Sequence, residues 1–236
     1  MCTSAPSRSA RTVLLLLLCW IAGVSAAHAD DVFHHPLTAD QLSHGVLAQP
    51  VALINGAQVI RGRFIYKRFL SELPAPLQST GEYIFVKDLG IVWHTQEPLD
   101  SEFVVTAAGT TQRDDGKVTL QANAGEQPAV RAVARILLAL LTLDMQALRS
   151  TFDLFGNASS GKPSSDERAD APWQIGLRPI APAVAAIFRD ATVSGTGQVE
   201  TVVLRDANGD RTEIQFQNVT YEQSAPTSQD RERFVQ

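Results

Sequence analysis

Gly156, Gly161 and Lys162 carry most of a phosphate cradle of the form G-x-x-x-x-G-K, in which backbone N–H groups and the lysine would hold a nucleotide. The next residue is Pro163, so the magnesium-binding hydroxyl is missing and the helix that should follow is blocked. Asp206, Asn208 and Asp210 have the spacing that opens a calcium loop. Position six is then Arg211 where Gly is needed, and position twelve is Gln217 where Glu is needed, so a hairpin turn is the better reading. His34, His35, His44 and His94 are too scattered for a zinc motif, and Asp114-Asp115 sits where a turn is expected. Asn157-Ala158-Ser159 and Asn218-Val219-Thr220 match the glycan acceptor pattern, which is frequent by chance. No nucleophile elbow, metalloprotease motif or serine–histidine–aspartate set can be assembled. The expectation is a protein without catalytic residues, metal or cofactor, whose chemistry is non-covalent.

One lysine stands out against that background. Side chains of equal parity on a strand point the same way. Ile60, Phe64, Tyr66 and Leu70 share one face of a first strand, with Arg61, Arg63 and Lys67 on the other. In the next two segments Tyr83, Phe85, Ile91 and Trp93 share a parity, with Lys87 among them and His94 on the solvated side. Such a face must bury itself against a core, a lid or an apolar ligand. A lysine there must pair or reach solvent at a strand end.

The elements that position these residues follow from turn signals and periodicity. Thr38-Ala39-Asp40-Gln41 has capping-box spacing and opens a short helix bearing Leu42 and Val46, and Pro50 and Asn55-Gly56 close the connection to the first strand. Four strands are expected between Val59 and Thr106, then a hairpin over Gln112 to Leu120 turning at Asp114-Asp115-Gly116. From Val130 the period becomes helical: Val133, Leu137 and Leu141 mark one stripe, broadened by Ile136, Leu140 and Leu143, so the helix is buried on several sides. A second helix is expected over Asp144 to Asp153 with Met145, Leu148 and Phe152 inward. Residues 156–172 read as a loop. A strand follows at Trp173 to Arg178, then a short helix or an extended crossing at Ala183 to Phe188, then a hairpin turning at Asn208-Gly209. The tail after Ala225 reads as polar and loose. Strands, two helices and strands again give an α+β class with one antiparallel sheet covered on one side.

Residues 1–29 read as a cleaved signal peptide: Arg8 and Arg11, an apolar run from Val13, and Ala27-His28-Ala29 as the cleavage site. The apolar run is too short to span a bilayer. Cys2 and Cys19 both fall in residues 1–29, so the mature chain from Asp30 would have no disulfide and no thiol. Loss of Arg8 and Arg11 takes the net charge from −5 to −7, which argues against nucleic acid as a partner. Residues 30–225 are expected to form a single domain, followed by the tail at 226–236.

The segment from Phe64 to Thr106 resembles the periplasmic outer-membrane lipoprotein carrier family, LolA. The resemblance is carried by the Phe-bearing first strand, by Gly81-Glu82-Tyr83-Ile84-Phe85-Val86-Lys87, and by Trp93 and Pro98; the helices and the late Asn-Gly hairpin also fit. It implies an unclosed antiparallel β-barrel with helices forming a lid over an apolar cavity. It further implies a monomeric periplasmic carrier that takes acylated lipoprotein or lipid cargo from an inner-membrane transporter or exporter to an outer-membrane acceptor. On that resemblance Phe64, Tyr66, Tyr83, Phe85, Ile91, Trp93, Val133, Leu137 and Leu141 would line the lipid site. Lys87 would be the lid latch, in the place of a family Arg, with Asp88 replacing the usual Pro. Lysine lacks the planar fork of arginine, which points to a divergent branch. Alternatives on the same half-barrel are an envelope lipid or lipoprotein sensor, and a carrier of another lipid such as an aryl-polyene conjugate.

Overall fold

Alternating apolar and polar residues, punctuated by Gly, Asn, Asp and Pro, produce eleven strands in one sheet. The computed structural model describes residues 32–38, 47–123, 136, 138–156 and 172–235, all within one compact unit, Val32–Gln236. The leader, the helix expected after Thr38, most of the helix expected from Val130 and the loop at 157–171 lie outside the described residues. The strands are β1 (Val59–Phe69), β2 (Leu77–Val86), β3 (Gly90–Glu97), β4 (Ser101–Thr106), β5 (Gly109–Asp114), β6 (Lys117–Asn123), β7 (Phe152–Gly156), β8 (Trp173–Pro179), β9 (Phe188–Gly195), β10 (Val199–Asp206) and β11 (Arg211–Glu222). Their order is β6-β5-β4-β3-β2-β1-β11-β10-β9-β8-β7, every neighbouring pair is antiparallel, and β6 and β7 remain as edges. The sheet is therefore an unclosed half-barrel. Its two meanders are joined by the long pairing of β1 with β11, from Val59↔Glu222 to Phe69↔Arg211.

Turn chemistry sets the hairpins where it was expected. Asp115 and Gly116 both take positive φ (49° and 74°), which matches the twist of the flanking strands. Gly209 does the same (φ 94°) between β10 and β11. The β7 edge is covered by the chain before it: Leu37 N–H donates to Leu154 O (2.9 Å) and Gly156 N–H to His35 O (2.8 Å).

The short helices are α1 (Ala48–Gly56), α2 (Met145–Arg149), α3 (Pro182–Ala185) and α4 (Ser228–Glu232); residues 138–141 are also helical. Of the first three, two differ from the sequence reading and one settles an alternative it left open. Pro50 and Asn55-Gly56 look like breakers, yet Pro50 falls in the first turn of α1, where a missing N–H is tolerated, and Gly56 at its last position. The second helix expected to reach Asp153 stops at Arg149, because Phe152 begins β7 and pairs with Pro179. Asp144 caps it, accepting from Gln146 N (3.1 Å) and Ala147 N (3.0 Å). The alternative left open at Ala183 to Phe188 resolves as α3 followed by β9.

The largest correction is at the C-terminus, which is docked and not loose. Val59, Ile84, Val86, Val92 and Val104 form an apolar patch on the outer face of β1–β4, and Phe234 covers it. Thr227 and Asp230 make a reciprocal capping box at the start of α4. Asp230, only 5% exposed, receives Arg61 Nη1 at 2.7 Å and Nη2 at 2.9 Å, while Arg61 Nε reaches Glu222 at 2.7 Å. Arg233 adds Glu82 and Glu102, each at 3.5 Å.

The Arg61 guanidinium holds the Asp230 carboxyl well below the usual carboxylate range. A depressed folded pKa contributes stability that is complete above the unfolded value of about 3.9 and fades as pH falls through the folded value. Asp230→Asn should therefore lower stability at pH 7 by about 1.5–3 kcal/mol, the range for a hydrogen bond to a charged group. The gap from wild type should narrow as the pH falls below about 4. Thermal unfolding across pH checks both; a gap independent of pH would refute the assignment.

Candidate functional site

The concave face holds most of the core. Ile60, Phe64, Tyr83 and Ile91 on one side meet Ile175, Leu177, Val193 and Val202 on the other, with Leu140, Leu143 and Leu148 packed over them. Register explains how the aromatic residues are placed. Gly81 lies opposite Phe64 and Gly62 opposite Tyr83. A Cβ at Gly81 would stand 2.7 Å from the Phe64 ring, and one at Gly62 would stand 2.8 Å from the Tyr83 ring. Both rings thus lie down over a neighbouring glycine. Trp93 stacks on Phe64 at 3.9 Å between centroids, and Phe216 meets Tyr83 edge-on at 5.5 Å. Burial raises the Tyr83 phenol above its ordinary pKa.

This stack fills its own space, and the open volume lies beside it. A cavity of about 800 Å³ runs between the β2–β3 turn, β4, β5 and the helical residues above them. Its apolar wall includes Phe85, Val105, Leu138, Leu143 and Met145. Its polar rim includes Asn55, Lys87, Asp88 and Asp144. The volume falls within the range of small-molecule sites. Thr110, 1% exposed, also lines it, and its hydroxyl has no hydrogen-bond partner among the described residues. That oxygen is sealed from the cavity as the side chain stands, so a ligand carbonyl could satisfy it only after the Thr110 side chain turns toward the open space.

The residues proposed from sequence divide accordingly. Phe85 and Lys87 line the cavity. Phe64, Tyr83, Ile91 and Leu141 are buried in the core, and Tyr66 and Trp93 pack half-buried against it. Val133 and Leu137 lie outside the described residues. Lys87 is exposed in the β2–β3 turn, one residue past the end of β2 and next to Asp88 at φ 66°. Its ammonium has no hydrogen bond or ion pair with a described residue, while its backbone N–H donates to Gln58 O at 2.9 Å. His94 belongs to the outer face, with Nε2 at 2.5 Å from Asp100 Oδ1. Val105, Thr110, Leu138 and Met145 were not among the expected lipid-site residues, although Met145 was expected to face inward. The one available signal was parity: Thr110 pairs with Val105, on the same face as Ile91.

No protein-family model matches the chain, and no curated protein does. Among solved structures the chain is similar to a LolA superfamily protein from Nitrosomonas europaea (6% identity, 80% of this chain and 98% of that one, TM-score 0.39). It is also similar to a putative outer membrane lipoprotein-sorting protein domain from Vibrio parahaemolyticus (9%, 80% and 96%, TM-score 0.35). A third likeness is to the MucA/MucB complex of Pseudomonas aeruginosa (15%, 81% and 59%, TM-score 0.32). At TM-scores this low, what the chain does has to be read from its own residues.

The stack and the cavity wall should respond differently to truncation. Phe64→Ala is expected to cost about 3–5 kcal/mol, as for a fully enclosed aromatic. Phe85→Ala, half-buried beside open space, should cost under about 2 kcal/mol. Denaturant titrations of both variants measure the difference, and equal losses would show that Phe85 is core and not wall.

Proposed function

We propose that the protein is a non-catalytic periplasmic carrier that holds acyl chains of a lipoprotein or related lipid in the cavity between β2–β5 and the helices. The observation that carries this reading is the cavity's construction: an apolar wall with one buried hydroxyl unpartnered among the described residues, and a polar rim that includes Lys87 and Asp88. An acyl chain entering it gains about 0.8 kcal/mol per CH₂ removed from water. The ester or amide carbonyl that follows the chain can accept from the Thr110 hydroxyl once that side chain turns toward the open space. Lys87 at the rim is placed to meet the polar end, and exchange of that contact for one with the helices above would latch the mouth. Transfer to an outer-membrane acceptor completes the proposed cycle, and no covalent step is needed.

Displacement of a fluorescent fatty-acyl probe tests the binding step. Val105→Trp should fill the wall and abolish binding while the protein stays folded by circular dichroism. Thr110→Val should keep the hydrocarbon affinity but lose about 0.5–1.5 kcal/mol of preference for ester-bearing over plain alkyl ligands. Lys87→Leu should slow handover to acceptor membranes, and Lys87→Arg should preserve it. Unchanged probe binding in Val105→Trp would refute the cavity as the site.

A further inference from the structure

Strand register places the β1–β2, β3–β4, β5–β6, β8–β9 and β10–β11 connections at one end of the sheet, and the β2–β3 turn with Lys87 at the other. Eight large apolar side chains are exposed among the described residues. Six of them, Leu73, Leu77, Leu99, Val118, Ile180 and Ile187, lie on or beside the connections at the first end. Single exposed apolar residues need no explanation, but their gathering at one end does.

The same end has a second concavity, of about 330 Å³, lined by Phe69, Ser71, Arg189, Arg205, Asp210 and Arg211 among others. Each of the nearby carboxylates is engaged within the protein. Asp190 receives Arg189 Nε at 3.0 Å and Arg205 Nη1 at 2.7 Å, and Asp206 receives Arg68 Nη2 at 3.1 Å. Asp210 accepts from Ser71 N at 3.1 Å and Asn208 Nδ2 at 2.9 Å. The Arg211 guanidinium lies 4.0 Å over the Phe69 ring and has no acidic partner among the described residues. Arg189 is 61% exposed, so its remaining N–H groups face solvent. With Glu72 on the β1–β2 connection counted, four guanidinium groups around this concavity stand against four carboxylates, and Asp100 and Asp115 lie on the β3–β4 and β5–β6 connections of the same end. The arginine geometry therefore matters more than the summed charge.

We propose that this end docks on an anionic lipid bilayer, with a headgroup phosphate held between Arg189 and Arg211 and with Leu73, Leu77, Ile180 and Ile187 entering the headgroup–acyl boundary. Guanidinium forks match phosphate oxygens, and a stacked arginine is held ready for them. A soluble anion would use the arginines but would leave the apolar rim unexplained. A bilayer uses both, as interfacial anchors do. The cavity mouth is at the opposite end, so docking leaves it uncovered.

Co-sedimentation of the full chain with phosphatidylglycerol-containing vesicles, against pure phosphatidylcholine, tests this. Preferential partitioning to the anionic vesicles is expected, and high salt should weaken it. Arg189→Glu with Arg211→Glu should reduce partitioning by about tenfold or more, since each basic residue near the surface contributes roughly fivefold. Leu73→Ser with Ile187→Ser should reduce it as well. All four positions are exposed, and a thermal midpoint for each variant confirms folding. Absence of partitioning, or variants that partition like wild type, would overturn the proposal. So would release of the protein by inorganic phosphate at matched ionic strength, which would mark a soluble-anion site.

Discussion

An antiparallel sheet of eleven strands that stays open must hide apolar surface on both faces, and the rest of the structure follows from that constraint. Sheets of this width curl, and a curled sheet encloses more volume than its own inward side chains can fill. The half formed by β7–β10 fills its share with Ile175, Leu177, Val193 and Val202 against Leu148. On the β2–β5 half, the largest inward rings lie flat over Gly62 and Gly81 and do not project toward the helices. The cavity is the space they leave. Leu143, at φ 44°, turns the chain sharply after the helical residues and keeps its side chain buried beside that space. A left-handed conformation at a non-glycine residue costs roughly 1–2 kcal/mol, which buried packing of the leucine offsets.

The outer face is managed by a different device. Its apolar patch is narrow, five valine and isoleucine side chains wide, and one aromatic residue from the C-terminal segment covers it. Phe234 alone could not hold a five-residue helix in place, since helices this short are unstable by themselves. The paired hydrogen bonds from Arg61 to Asp230, with the carboxylate also capping α4, fix that helix to the sheet. The ladder from Glu82 through Glu102 to Arg113 and Arg233 continues the polar margin of the patch. Its partly exposed pairs add little each and serve mainly to set position.

Most strands and their hairpin pairings were legible in the chain because parity and turn residues act locally, whereas the start of β7 had been read as the end of a helix. Tyr83 opposite Trp93 and Phe85 opposite Ile91 follow from the count alone once the β2–β3 turn is placed. The second buried face was less visible. Runs such as Tyr83-Ile84-Phe85-Val86 and Ile91-Val92-Trp93 are apolar at both parities, the mark of a strand buried on both sides, but the aromatic parity dominates the eye. Strand β9 was hidden because Arg189 and Asp190 interrupt its alternation, and the bond from Arg205 to Asp190, which also receives Arg189, appears only when β10 is alongside. The cavity wall was least legible of all. A void forms where side chains fail to meet, and no local pattern encodes failure to meet. Phe85 and Lys87 were found by parity with residues that turned out to pack elsewhere.

On the carrier reading, the rim limits what the head of a ligand can be. Asp144 accepts the first N–H groups of α2 on Oδ1 alone, so its exposed Oδ2 and its negative charge remain at the rim. Lys87 stands against two carboxylates, Asp88 and Asp144, so the mouth is slightly acidic. A free fatty-acid carboxylate would gain from Lys87 only what Asp88 and Asp144 do not cancel, in water, where such pairs are weak. A neutral glyceride or amide head loses nothing by the same cancellation, and its carbonyl is the group that the buried Thr110 hydroxyl can receive once turned toward the cavity. The cavity is thus better matched to acyl chains joined to a neutral backbone than to fatty-acid anions.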